Sequence, residues 1–568
     1  MPDAPLSLSP SAHVDTFCRD NLPPRDLWPE FIFEVPEVQY PAQLNVGTVL
    51  LDDVIDQGGA DRPCILAPDG TRWTYGELRE HANRIAHVFV DDLGLVPGNR
   101  VLLRGPNNPW LVAIWIAALK AGAVIVPTMP MLRSKELLTI CEIGNFNLAV
   151  CDHRFTDDLL NSQIPGLRML TYGATQGGEE QQGAAGLDDI LALARDKPTT
   201  FEDVPTAADD VSMLAFTSGT TGRPKATMHF HRDILANADT FSRYVLRPAP
   251  DDVFIGTPPI AFTFGLGGLV IFPLRVGAST IMVEKATPEQ LADLIEELGA
   301  TVCFTAPTAY KAMLAKGRAP ALRGLRRAVS AGEHLPRATW EEFHEATGLK
   351  LIDGIGSTEM LHIFIGSSDD DIRPGSTGKP VPGYRAKVID KAGRDAPDGV
   401  AGRLAVKGPT GCRYLADERQ TVYVQDGWNI TGDTFIRDED GYFWYQARSD
   451  DMIISAGYNI SGTEVEEALI SHPEVMECAV VAAPDEERGY VVKAYVVPRR
   501  GRTELGGEDG EATLRKTLQD HVKGVIAPYK YPRQIEFLDA LPRTSTGKVQ
   551  RFVLRKEAAT AATGSVDA

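Results

Sequence analysis

The 568-residue chain predicts an α/β protein. We expect a large N-terminal domain of two doubly wound α/β subdomains plus a small β-barrel-like subdomain, followed by a smaller, mobile C-terminal α+β domain. Three observations predict this. Between about residues 48 and 310, short apolar runs alternate with helical patterns, which makes a mostly parallel sheet. Between about 375 and 445 the texture changes to short strands separated by Gly, Pro and Asp turns. From about 450 a mixed helix and strand pattern returns. The expected boundaries are 1–448 for the N-terminal domain and 449–568 for the C-terminal one, and a chain of this length calls for several domains.

Each element has its own signal. Residues 1–45, rich in Pro and aromatics without a period, read as an arm on the surface. "WTYGELREHANRIAHVFVDDLGL" starts a helix at Thr74, with Glu77 three residues on as in a capping box. "RVLLRG", "AVIVPTM", "LAVCD", "STIMVE" and "VCFTAP" are short apolar strands bounded by Gly, Pro or charge. The longest apolar stretch, Trp110–Pro130, is interrupted by Lys120 and Gly122. It reads as a helix under a sheet followed by a buried strand, not a membrane span. "YRAKVIDKAG", "GRLAVKGPT" and "GYFWYQAR" form the all-β unit. "GTEVEEALISHPEVMECAVVAAPDEERGYVVKAYVVPRR" gives helix, strand, turn and strand, and "LRKTLQDHV" a further helix. Residues 177–186 and 501–511 read as exposed loops, and the last dozen residues should fray.

Composition excludes some functions. A formal net charge of −20 makes a poor binder of nucleic acid or anionic lipid. The seven cysteines are scattered and form no C-x-x-C pair, so neither disulfides nor a zinc site is expected, and the cytoplasm is the expected compartment. The first residues lack the basic and apolar regions of a signal peptide.

One stretch is too polar to pack and too glycine-rich to be helical: "AFTSGTTGRPKAT", residues 215–227. After the strand-like "VSMLAF", its backbone N–H groups and hydroxyls can converge on one point as an anion cradle, to which Lys225 adds a full charge. The spacing is not G-x-x-x-x-G-K-[ST], so a P-loop NTPase is not supported. By composition alone a flexible surface turn remains an alternative.

The string "TSGTTGRPK" resembles the phosphate-loop signature of the adenylate-forming superfamily, which includes acyl- and aryl-CoA synthetases, peptide-synthetase adenylation domains and luciferases. Further blocks follow in that family's order: "IGSTEM" (355–360), "TGD" (431–433), "RSDDMIISAGYNISGTEVE" (448–466) and "PRTSTGKVQR" (542–551). The resemblance covers nearly the whole chain. It departs at Ile355–Gly356, where the family has a tyrosine before "GSTE", which affects adenine stacking rather than the chemistry.

The resemblance implies attack of a carboxylate on the α-phosphate of ATP, then attack of a thiol on the acyl-adenylate. Thr217, Ser218, Gly219, Thr220, Thr221, Gly222 and Lys225 would supply donors to the β- and γ-phosphates. Glu359 would hold Mg2+, a hard carboxylate for a hard cation, and Thr358 would touch the α-phosphate. Asp433 would accept from the ribose hydroxyls, with Arg448 beside it. Ala331, Gly332 and Glu333, with Asp353, Gly354 and Ser357, would border the nucleotide. Lys548 would reach the carboxylate and α-phosphate in the first step, and Asp450 would be the hinge about which the C-terminal domain swings. Ala456, Gly457 and Tyr458 would then line the path of coenzyme A.

The acyl pocket is expected between "PPIAFTFGLGG" and "GIGSTEMLHIF": Phe262, Thr263, Phe264, Gly265, Ile355, Gly356 and His362. Phe262 and Phe264 read equally as core packing, and a histidine such as His362 is more often structural. The string "GSTEMLHIF" nonetheless resembles benzoate- and 2-aminobenzoate-CoA ligases, so the expected partners are an aryl carboxylic acid, ATP and coenzyme A, with the chain a monomer or homodimer. A medium-chain acid and a free carrier protein stay open as alternatives. An amino-acid adenylating enzyme would need an aspartate near "FTFG", where none stands. A nucleotide sensor would have no use for Lys548, and a light-emitting oxygenase would require oxygen.

Overall fold

The computed structural model describes residues 8–174, 186–218, 224–448, 453–455, 458–485, 489–526, 528–544 and 547–563. Its frame is two large sheets. The first runs, edge to edge, Arg168–Tyr172, Leu148–Asp152, Arg100–Arg104, Val124–Thr128, Val211–Ser218 and Pro224–Phe230. All neighbours are parallel except the last pair, which is antiparallel. The second has nine strands. Its parallel centre is Ile352–Gly356, Arg327–Ser330, Val302–Thr305, Val253–Gly256, Ser279–Ile281 and Pro63–Leu66, with antiparallel strands added at both edges. Central strands buried on both faces need continuous apolar runs, and Val302–Thr305 is buried throughout.

Helix starts follow the local chemistry. Thr74 and Glu77 make the predicted capping box for Tyr75–His87. Asn108 accepts from the Leu111 amide and Pro109 occupies the first turn of Pro109–Lys120. That helix is apolar on nearly every side because helices and sheet enclose it. Lys120, at its end, is 1% exposed and survives there by pairing with Asp52 at 2.6 Å and Asp203 at 3.3 Å.

The all-β unit is a five-stranded antiparallel sheet spanning Arg385–Ile389 to Phe443–Arg448. The C-terminal domain has a sheet of its own: Val475–Asp485 antiparallel to Gly489–Pro498, which runs parallel to Gln534–Phe537. Helices Gly462–Ile470, Gly507–Val525 and Arg551–Thr563 cover it.

Three sequence expectations are corrected. The segment from residue 8 to 45 is not a mere surface arm: Cys18, Trp28, Ile32 and Val38 are buried, and Asp15 pairs with the buried Arg100. The supposed loop 501–511 contains the first turn of Gly507–Val525, whose apolar face, Leu514, Leu518 and Val522, packs on the sheet. The C-terminal tail is helical to Thr563 because Leu554 and Ala558 are buried against the strands. The 177–185 part of the other loop lies outside the described residues. Among the described residues no helix is long and apolar enough to cross a membrane.

Candidate active site

Residues 217, 218, 224 and 225 belong to the antiparallel pair Val211–Ser218 and Pro224–Phe230, the latter at one edge of the six-stranded sheet. Thr217 pairs with Lys225 and Ser218 with Pro224 in register. Gly219, Thr220, Thr221 and Gly222 lie outside the described residues. Because side chains alternate along a strand, Lys225, Thr227 and His229 share one face of Pro224–Phe230. That face meets the turn that carries Glu359.

Glu359 sits in a 3₁₀ turn, Thr358–Met360, at the end of strand Ile352–Gly356. Ser357 caps the turn by accepting from the Met360 amide at 3.2 Å. Leu361 then takes φ +71°, a left-handed conformation unusual for a branched residue. Thr410 Oγ1 donates to the Met360 carbonyl at 2.9 Å and His229 Nε2 to the Thr358 carbonyl at 2.8 Å. His229 is fully buried, and burial, then the Arg413 charge, lowers its pKa to about 3, so the ring is neutral and Nε2 carries the proton.

Glu359 is 7% exposed and paired. Lys225 Nζ lies 3.0 Å from Glu359 Oε1, and the Tyr414 hydroxyl donates to the same oxygen at 2.6 Å. Lys225 also donates to the Tyr414 hydroxyl, and its ammonium lies 4.3 Å from the Tyr414 ring centre. Burial and the Glu359 charge push the Tyr414 phenol far above the usual range, so it keeps its proton. Tyr423 packs edge-on against Tyr414 at 5.8 Å and hydrogen-bonds Ser357 Oγ at 3.1 Å.

Neither tyrosine was singled out from the sequence. Tyr414 arrives because its segment adds on to Pro224–Phe230: the Met228 amide donates to Arg413 O at 2.8 Å and the Leu415 amide to Ala226 O at 2.9 Å. Buried Gln420 accepts from the Tyr414 amide at 2.8 Å. Arg413, fully buried, pairs with fully buried Asp233 and lies 4.0 Å from the Phe230 ring centre.

The other nucleotide candidates flank this centre. Asp433 is 7% exposed and stands opposite Arg448 in register. Ser330 pairs with Asp353 across the nine-stranded sheet. Ala331 and Gly332 follow Ser330, Gly332 at φ +89°, and Gly354 and Ser357 lie on and just after the Asp353 strand. Burial raises the Asp353 carboxyl to about 7, against a smaller opposing effect of His334. Among the described residues its Oδ1 has no hydrogen-bond partner.

The C-terminal domain closes on the same edge. Arg543 lies 3.3 Å from Glu333, and His334 Nε2 lies 2.6 Å from Glu467 Oε1. Lys548 is exposed on a turn in which the Thr544 amide donates to the Lys548 carbonyl at 2.7 Å, and its charge acts on Glu333. Tyr458 lies on strand Tyr458–Ile460, paired with Ile453–Ser455. Asp450, Ala456 and Gly457 lie outside the described residues.

The predicted acyl residues divide into two groups. Phe262 and Thr263 line a small cleft with Ala215, Phe216 and Thr358, which joins the acyl segment to the Glu359 turn. Phe264 lies 5.6 Å from both His362 and Phe304, in an aromatic cluster that also holds Phe272 and Phe241. His362 is 3% exposed and burial lowers its pKa to about 3; Nε2 lies 3.3 Å from Phe264 O, while Nδ1 has no partner among the described residues. Ile355 is half-buried against the same core. A Cβ on Gly265 would come within 2.3 Å of Pro259 O, and one on Gly356 within 2.5 Å of His362 O, so neither position accepts a side chain.

Among the described residues, no group of three or more His, Cys, Asp or Glu could hold a metal ion alone. The residues fit magnesium in its usual mode with nucleotides, in which one carboxylate, here Glu359, acts together with substrate phosphates.

This fold and site define a class. The chain belongs to the AMP-binding enzyme family: the family model matches residues 51–414, and the model of the AMP-binding enzyme C-terminal domain matches residues 464–548. Among its relatives is the benzoate–CoA ligase of Thauera aromatica, 36% identical over 532 residues, covering 92% of this chain and 97% of that one. The 3-hydroxybenzoate–CoA ligase of Aromatoleum sp. (strain CIB) is 32% identical over 521 residues, 90% of this chain and 97% of the relative. In structure it is similar to the anthranilate CoA ligase AuaEII in complex with anthranoyl-AMP, with TM-score 0.86 and 33% identity, covering 93% of this chain and 100% of that one.

Proposed function

We propose that this enzyme is an ATP-dependent aryl-acid:CoA ligase of the benzoate or 2-aminobenzoate type. The acid's carboxylate attacks the α-phosphorus of ATP, pyrophosphate leaves, and an aryl-adenylate forms. The thiolate of coenzyme A then attacks the acyl carbon and AMP leaves.

The observation that carries this reading is the contact between two sites. The Lys225–Glu359–Tyr414 cluster at the base of the phosphate hairpin shares the Thr358 turn with the cleft lined by Phe262 and Thr263. In this reading the acid's carboxylate is held beside the Thr358 turn, next to the phosphate it must attack, and holding reactants at close range removes much of the entropic barrier.

Within this reading, Thr217, Ser218, Gly219, Thr220, Thr221, Gly222 and Lys225 bind the β- and γ-phosphates, and Thr358 the α-phosphate. Glu359 holds magnesium, which neutralises phosphate charge when bound. Asp433 and Arg448 take the ribose. Ala331, Gly332, Glu333, Asp353, Gly354 and Ser357 border the nucleotide, with no tyrosine at Ile355 to stack on the adenine. Phe262, Thr263, Phe264, Gly265, Ile355, Gly356 and His362 shape the acyl pocket. Lys548 stabilises the negative charge of the adenylation transition state. Asp450 is the hinge by which the 449–568 domain withdraws Lys548 and brings up Ala456, Gly457 and Tyr458 for the thiol. A hinge needs only to absorb a change in φ and ψ. The seven buried, unpaired thiols suit a reducing cytoplasm, and a monomer or homodimer suffices because one chain carries every named group.

The test is a panel of benzoate, 2-aminobenzoate, hydroxybenzoates, phenylacetate and hexanoate with ATP, magnesium and coenzyme A, in which AMP and thioester are followed together. Fastest turnover with a benzoate is expected. Preference for hexanoate would favour a medium-chain acid ligase, and pyrophosphate release without CoA thioester would favour loading of a carrier protein.

A further inference from the structure

We propose that Tyr414 is a positioning residue for adenylation, its hydroxyl fixing the orientation of Glu359 for the metal and of Lys225 for the phosphates. This rests on the nucleotide site proposed above. It adds a residue from a separate part of the chain, 189 positions from Lys225 and 55 from Glu359.

The geometry is specific. Both bonds to Glu359, from Lys225 at 3.0 Å and from Tyr414 at 2.6 Å, converge on Oε1. A carboxylate held by one oxygen has its rotation fixed and its second oxygen aimed. Lys225 meanwhile is bound to the same hydroxyl, so one phenol sets the separation of the site's cation and anion. A flexible lysine and a glutamate on a short turn would otherwise sample several rotamers.

The phenol is itself held rigidly. Its amide is bound to Gln420 Oε1 at 2.8 Å, its neighbours' backbones join the strand carrying Lys225, and its ring packs edge-on against Tyr423. Gln420 in turn donates to Leu27 O at 2.8 Å and to Cys412 O at 3.1 Å. Backing of this kind costs fold stability nothing extra if the tyrosine were only packing. The buried hydroxyl between two charges is what packing does not explain, because a phenylalanine would fill the same space.

The test is Tyr414→Phe in the full-length enzyme, with binding of ATP at fixed saturating magnesium measured by titration calorimetry. Partners that orient a metal ligand typically contribute 10–100-fold to affinity, so a loss of tenfold or more is expected. In a Glu359→Gln background the same change should have a smaller effect, since the metal-ligating carboxylate is gone and only the orientation of Lys225 is left to lose. A loss below tenfold, or one that persists undiminished in the Glu359→Gln background, overturns the proposal. Melting of each variant guards against misfolding. The wild type separates the two readings: if it binds ATP but releases no pyrophosphate with aryl acids, the proposed reaction fails while the role of Tyr414 is still decided by binding.

Discussion

Truncating Lys548 to alanine should separate the two half-reactions. The lysine is exposed, and its turn is held by a backbone bond, Thr544 N to Lys548 O at 2.7 Å, and by the Lys548 amide donating to the Thr544 hydroxyl, Oγ1, at 3.1 Å. Neither bond involves the ammonium. The Arg543–Glu333 pair at 3.3 Å also remains to hold the C-terminal domain on the nucleotide edge. The change in stability should therefore stay within about 0.5 kcal/mol, as for other exposed substitutions. The cost to the chemistry is larger. Removing one preorganised donor from a charge-developing transition state costs about 2.7–4 kcal/mol, or roughly 10²–10³ in rate. Pyrophosphate release with benzoate and ATP should fall by that factor. Thioester formation from supplied benzoyl-adenylate and coenzyme A should fall less than about threefold, because no step of it uses the ammonium. Equal loss in both assays, or a normal first half-reaction, would refute the reasoning.

Other outcomes follow from the same geometry. His229→Phe keeps the ring but removes the bond to the Thr358 carbonyl; loss of about 1.4 kcal/mol of positioning, or roughly tenfold in adenylation rate, is expected, and an unchanged rate would contradict it. Asp433→Ala should raise the KM for ATP by at least about tenfold, the value of a hydrogen bond to a charged group, while leaving the KM for the acid alone; an unaltered ATP KM would remove Asp433 from the ribose. Asp353 gives a pH signature. Its folded pKa of about 7 lies above the ordinary value, so the stability it contributes is complete below about pH 4 and is lost as pH rises through 7. Asp353→Asn should thus stabilise the ligand-free enzyme at pH 8 relative to pH 5.5 by at most about 2 kcal/mol, the ~1.5 units between pH 5.5 and 7 at about 1.36 kcal/mol each, and by less because the residue is partly exposed; melting at both pH values checks this, and an equal effect at both would contradict it.

Much of the fold was legible because its signals are local. Thr74 and Glu77 cap a helix three residues apart, and strands such as Val302–Thr305 show their burial in their own composition. Residues 217–225, Glu359 and Lys548 stand out in the sequence as parts of motifs. What escaped depends on pairing between distant segments. Tyr414 looks like one more aromatic in a β-rich stretch until the backbone of Arg413 and Leu415 joins the edge strand beside Lys225. His229 could have been found, since a period of two from Lys225 places it on the same face of the strand. The segment from residue 8 to 45 misled for the opposite reason. It has no periodicity, yet Trp28 packs 5.9 Å from Phe230 and Asp15 holds Arg100, contacts no local pattern announces. The expected acyl residues were only partly legible, because Phe262, extended before the short helix Thr263–Leu266, and Phe264, within it, turn toward different surroundings.

The most direct measurement is a crystal structure with magnesium and a non-hydrolysable ATP analogue. The triphosphate is expected against residues 217–225, with Glu359 on the cation and its Tyr414 bond retained. A triphosphate seated elsewhere, clear of Lys225 and Glu359, would contradict it.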